Sequence, residues 1–173
     1  MGLLHLYCGD GKGKTTAAIG LAIRGAGAGM RVHMVQFLKG RETAELAILA
    51  GIPQITVSRC EKDYGFTWNM TPEEKEAITL EHNRLLAEVA QLVASGQIQM
   101  LILDEFVSVY RHGLLDRELA ERLILQKPPA LELVLTGRNP DEKWIEAADY
   151  VSEIRAVKHP YERGIGARYG IEY

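Results

Sequence analysis

The chain is poor in cysteine: Cys8 and Cys60 are the only two in 173 residues. They are too few and too far apart for a disulfide framework or a zinc site, so both read as ordinary thiols. It also lacks any apolar run near the roughly 20 residues that span a bilayer, which excludes membrane insertion. Positive charge is not in excess either. Twenty lysines and arginines against 23 aspartates and glutamates leave a net charge of −3, with no long basic block. Nucleic acid is therefore not expected as a main partner. The first residues run from Met1 into a short apolar stretch broken by His5, without a cleavage-site pattern. No secretory signal is expected, and a cytoplasmic location is the simplest reading.

What is present fits one soluble α/β domain over residues 1–173, large enough to bury about 70% of the surface its unfolded form exposes. Residues 3–7 read as a strand and residues 15–28 as a helix, with a glycine-rich loop between them. Further strands are expected at residues 31–36, 55–57, 98–103, 131–136 and 150–157. Helices are expected around residues 46–49, 71–95 and 116–125, and a short one opens at Asn139-Pro140-Asp141-Glu142. Thr71-Pro72-Glu73-Glu74 is a strong start for the long helix: a hydroxyl at the N-cap, proline at the first helical position and a glutamate placed to close a capping box. Residues 58–70 show no clear period and read as an ordered loop. Strands alternating with helices imply a mostly parallel sheet flanked by helices.

The loop Gly9-Asp10-Gly11-Lys12-Gly13-Lys14-Thr15 is close to the phosphate-loop pattern G-x-x-x-x-G-K-[ST]. There, backbone N–H groups and a helix N-terminus surround phosphate oxygens while a lysine and a hydroxyl complete the charge balance. Gly13-Lys14-Thr15 matches the end, and Thr16 adds a second hydroxyl. The first glycine should stand at position 8, which is Cys8, and Gly9 comes one place late. Glycines at 9, 11 and 13 still allow close approach to an anion, and Lys12 and Lys14 supply cations. The motif predicts triphosphate binding on a phosphate-loop NTPase fold of the RecA-like type. It does not by itself predict ATP hydrolysis.

Asp104-Glu105 closes an apolar strand and is the second half of that arrangement, an acid pair able to hold Mg²⁺ near the Thr15 hydroxyl. Arg138 ends the next apolar strand, where it either reaches the same crevice or caps the sheet edge.

Taken in order, residues 9–16, Val35-Gln36-Phe37-Leu38-Lys39-Gly40, Gly65-Phe66-Thr67-Trp68, Leu103-Asp104-Glu105, Leu135-Thr136-Gly137-Arg138 and Val157-Lys158-His159 resemble the CobA-type corrinoid adenosyltransferases. The resemblance covers nearly the whole chain. It implies transfer of the 5′-deoxyadenosyl group of ATP to the cobalt(I) of a reduced corrinoid, cobalamin or cobinamide, with release of triphosphate. Cobalt(I) is itself the nucleophile, so the protein has to orient C5′ and stabilise the leaving group.

The resemblance implies that the loop holds the triphosphate in the reverse sense from ordinary phosphate-loop ATPases. Lys14 then neutralises the leaving group, Thr15 and Glu105 ligate Mg²⁺, and Asp104 helps through water. It also implies that Phe66 and Trp68 crowd the lower face of the corrin and favour four-coordinate cobalt(II), whereas spacing alone reads both rings as core. A homodimer and a reductant for cobalt, such as a flavoprotein, are the partners it suggests. Two features depart from the pattern. Asp10 stands where members often carry asparagine, an extra carboxylate that weakens nucleotide binding unless it points to ribose or Mg²⁺. The N-terminal extension that closes the site in some members is not expected so close to the first strand. The competing readings are a phosphate-loop ATPase or kinase with another acceptor, and a non-catalytic nucleotide or corrinoid carrier.

Overall fold

The computed structural model describes residues 1–38, 43–60, 62 and 70–173. Six strands form one sheet in the order β3-β2-β4-β5-β1-β6, where β1 is Leu4–Cys8, β2 Val32–Gln36, β3 Ile55–Arg59, β4 Met100–Asp104, β5 Glu132–Thr136 and β6 Tyr150–Glu153. Every pairing is parallel, for example Leu6 with Leu135 and Val35 with Leu103. Parallel neighbours need crossovers. Helices α1 (Lys14–Gly27), α2 (Glu45–Leu49), α3 (Pro72–Ala94), α4 (Phe106–Arg111), α5 (Arg117–Leu125) and α6 (Glu142–Ala147) lie in those connections.

The central strands are buried on both faces, as their unbroken apolar runs require. One face packs Leu6, Leu103 and Leu135 under Ile78, Leu85 and Val89 of α3 and Phe106 of α4. The other packs Met34, Ile102 and Val134 under Ala18, Ala22 and Ala26 of α1. Small residues on α1 let it lie close to the sheet, and the Thr15 hydroxyl in its first turn reaches Asp104 at the end of β4.

The long helix begins as its sequence requires. The Thr71 hydroxyl accepts from the Glu74 amide at 3.2 Å, and the Glu74 carboxylate accepts from the Thr71 amide at 2.9 Å. Three expectations need correction. Strand β3 runs on through Ser58 and Arg59, which were read as loop. The last strand stops at Glu153 rather than 157, because Ile154 turns from the sheet onto the glycine loop. Helix α4 was not foreseen: its six residues are too short to show a helical period, and Phe106, Val107, Val109 and Tyr110 are all buried. Among the described residues, no helix is long and apolar enough to cross a membrane.

Candidate nucleotide site

The sheet order places β5 between β1 and β4, so three strand ends converge. They deliver the glycine loop, Asp104-Glu105 and Thr136-Gly137-Arg138 to one crevice at the carboxyl edge of the sheet, the usual ligand position in such sheets. Gly9 and Gly13 have φ of 101° and 124°, values that side-chain-bearing residues rarely adopt. Gly13 stands at the N-cap of α1, whose first residues are Lys14 and Thr15.

Lys14 is buried, and its ammonium donates to the Gly11 carbonyl at 2.7 Å. The side chain is thus folded back over the loop that a phosphate would occupy. Burial pushes its pKa down. Arg138 adds to that, and Glu105, Asp10 and Asp104 oppose it. The charges of those four groups are felt at the lysine, and Arg138 itself is exposed.

Asp104 is fully buried. One of its carboxylate oxygens accepts from the Thr15 hydroxyl at 2.8 Å and from the Thr136 hydroxyl at 2.8 Å. Thr136 in turn accepts from the Glu105 amide at 2.9 Å. Glu105 sits in the left-handed region at φ 60°, a conformation costing about 1–3 kcal/mol. Its carboxylate accepts from the Ser108 hydroxyl at 2.9 Å. The acid pair and the loop hydroxyl, 89 residues apart, are thus joined by direct hydrogen bonds, with Asp104 rather than Glu105 holding Thr15.

Among the described residues Asp10 makes no hydrogen bond to Lys14. Its carboxylate accepts from the Ala156 amide at 3.0 Å, and that amide lowers its pKa. The Gly11 amide, which an ordinary phosphate loop would offer to an anion, donates instead to the Ile154 carbonyl at 2.8 Å. Residues 154–156 thus strap the loop. Lys12 is exposed and lines a cavity with the C-terminal segment, and Thr16 is also exposed. Phe66 and Trp68, together with Gly65, Thr67, Lys39 and Gly40 of the quoted motifs, lie outside the described residues.

Two parts of this site went unread in the sequence. Thr136 had a usable signal, a hydroxyl closing an apolar strand beside glycine. The strap had none, because it works through backbone groups.

A phosphate loop tied by a hydroxyl to a buried aspartate on a parallel sheet is shared by many nucleotide enzymes. The discriminating observation is a match over all of residues 1–173 to the family described as ATP:corrinoid adenosyltransferase BtuR/CobO/CobP. The chain belongs to this family.

Relatives agree with the corrinoid adenosyltransferase assignment. The chain is 38% identical to the corrinoid adenosyltransferase of Pseudomonas aeruginosa, covering 99% of this chain and 84% of that protein. It is 32% identical to that of Escherichia coli K12, covering 99% and 86%. The corrinoid adenosyltransferase CobA of Salmonella typhimurium is also 32% identical, with the same coverage. Among solved structures, a KaiC-like protein from Pyrococcus horikoshii superposes with a TM-score of 0.51 at 17% identity, over 90% of this chain and 72% of that one. That likeness speaks to the fold alone.

Proposed function

We propose that the chain transfers the 5′-deoxyadenosyl group of ATP to the cobalt(I) of a reduced corrinoid, in synthesis or salvage of coenzyme B12. The carrying observation is the Thr15–Asp104 hydrogen bond, with Lys14 folded over the same loop, at the mouth of a parallel sheet in a member of this family. Cobalt(I) supplies the electron pair, the cobalt–carbon bond forms at C5′, and the C5′–O bond breaks. Triphosphate leaves with the bonding pair.

No side chain has to remove a proton in that step. The protein's task is to hold C5′ in line and to receive negative charge, and preorganised cations in a partly dry site do this best. Lys14 leaves the Gly11 carbonyl for the triphosphate, and the amides at the start of α1 add their dipoles. Gly9, Gly11, Gly13 and Thr16 shape the rest of the cradle, with Lys12 and Arg138 at its rim.

The residues present fit Mg²⁺. Thr15, Asp104 and Glu105 offer hard oxygen donors, and among the described residues no group of three or more histidines, cysteines or carboxylates gathers as a dedicated metal cage. Mg²⁺ characteristically takes one or two carboxylates and completes its shell with water and substrate phosphates. When bound it would supply charge neutralisation of the departing triphosphate.

Phe66 and Trp68 are assigned to the lower face of the corrin on the family resemblance. A homodimer, an external reductant for cobalt and a cytoplasmic location belong to the same proposal. The homodimer is supported by Tyr150 and Val151, apolar side chains 52% and 45% exposed on the edge strand β6. Light scattering of the purified chain tests it. The activity is tested by anaerobic incubation with Mg-ATP and reduced cobalamin, which should give a light-sensitive alkylated corrinoid and free triphosphate.

A further inference from the structure

The glycines of the loop serve a second purpose besides anion approach. A Cβ on Gly9 would lie 2.3 Å from the Ile154 carbonyl oxygen, and one on Gly11 2.7 Å from the Arg155 carbonyl carbon. Both glycines therefore admit the C-terminal segment as it passes over the loop. The Ile154 amide donates to the Cys8 carbonyl at 2.8 Å, and the bonds from Gly11 to Ile154 and from Ala156 to Asp10 fix the segment there.

The result is a cavity of about 270 Å³ between the loop and the chain terminus, walled by Lys12, Arg155, Lys158, His159, Arg168 and Glu172. In its far wall the Arg168 guanidinium and amide donate to the Glu172 carboxylate at 2.8–3.2 Å. Four positive charges face one negative charge here, on a chain whose net charge is −3. Arg155 is paired with Glu153 at 2.9 Å and Arg168 with Glu172 at 3.0 Å. Among the described residues neither Lys12 nor Lys158 enters an ion pair, and although the Lys12 charge helps hold the Glu172 carboxyl below its usual range, that carboxylate is bonded to Arg168, so these two ammonium groups are the ones a ligand meets. The volume lies just below the roughly 300–1,000 Å³ of pockets for drug-sized ligands, which suits a phosphate group of a larger substrate rather than a whole nucleotide.

The geometry points to a second anion site beside the phosphate loop, in which Lys12 and Lys158 bind a phosphate group while Asp10 and Ile154 position the wall that carries Lys158. The phosphate chemistry has two sources under the adenosyltransferase reading on which this inference rests. One is the far end of the triphosphate. The other is the phosphodiester of a complete corrinoid such as cobalamin, which cobinamide lacks.

The test uses Lys158→Ala and Lys158→Glu in the full chain, an exposed position where neither change threatens folding. Calorimetry with inorganic triphosphate and Mg²⁺, without corrinoid, reads the first source. KM for cobalamin against KM for cobinamide at saturating ATP reads the second. Loss of an exposed charge is expected to weaken the relevant binding about two- to five-fold, and charge reversal at least about tenfold, with the effect shrinking as salt rises. A change in triphosphate affinity assigns the site to the polyphosphate. A change in KM for cobalamin alone assigns it to the phosphodiester. Unchanged triphosphate affinity together with unchanged KM for both corrinoids overturns the site. A wild-type chain that binds triphosphate in a Lys158-dependent way but forms no adenosylated corrinoid would sink the proposed activity and leave the anion site standing.

Discussion

Lys14 carries the largest expected effect of any single residue. Its ammonium is held at the Gly11 carbonyl and feels the charges of Arg138, Glu105, Asp10 and Asp104. Lys14→Met should lower kcat by about 10²–10³-fold, the usual loss for one donor that stabilises developing charge. Single-turnover kinetics with protein verified as folded is the check. Asp104→Asn should keep the contacts to Thr15 and Thr136 in shape while removing the charge, and so raise the Mg²⁺ concentration needed for half-maximal rate; a titration that leaves this concentration unchanged refutes the metal assignment. These residues were legible in the sequence because each sits at a fixed offset from a strand end or a glycine. Asp10 was not, since the amide it accepts from belongs to Ala156, far along the chain.

Two buried histidines give a pH dependence. The His82 Nδ1–H donates to the Leu114 carbonyl at 2.7 Å, and His33 Nδ1 and the Thr56 hydroxyl share a hydrogen bond at 2.7 Å. The Nε2 atom of each is buried without a hydrogen bond. Burial lowers both pKa values below 6.5, so each ring stays neutral in the folded protein while the unfolded chain takes up a proton. The stability they contribute is full above about pH 6.5 and is lost as pH falls from there towards the folded-state values. Urea midpoints at about pH 7.5 and about pH 5.5 should show the drop, and His82→Leu should make it smaller whatever its absolute stability.

Among the elements, α3 depends most visibly on a local signal. Its reciprocal capping box satisfies two backbone donors, and Thr71→Ala should cost about 1 kcal/mol. That should appear as a lower urea midpoint at unchanged slope; an unchanged midpoint contradicts the assigned role. Helix starts of this kind are readable because the capping residues are adjacent in sequence. Helix α4 was not readable, because a six-residue helix with four buried residues, following a left-handed Glu105, is set by the crevice and the core rather than by a period. The early end of β6 has a similar cause. Tyr150–Glu153 pairs with β1, and beyond it the Ile154 amide still donates to Cys8 at the end of β1 while the Ile154 carbonyl accepts from Gly11 of the loop; strand propensity carries no record of that exchange.

For the whole molecule, alternation of strands and helices sufficed to foresee a parallel sheet, and the phosphate motif to foresee where its site lies. The strand order was not foreseeable from those signals, yet it is what sets Asp104 two strands from the loop with Thr136 bridging the gap. The same order lets the C-terminal segment return over β1 and close one side of the loop. Reaction class is decided at this scale too, since a phosphate loop tied to an acid serves hydrolysis, phosphoryl transfer and adenosyl transfer alike. The most direct measurement is chromatography of the nucleotide products after anaerobic turnover with Mg-ATP and reduced cobalamin. Equal amounts of triphosphate and light-sensitive adenosylated corrinoid are predicted; ADP with phosphate or a phosphorylated acceptor, and no alkylated corrinoid, would contradict the account.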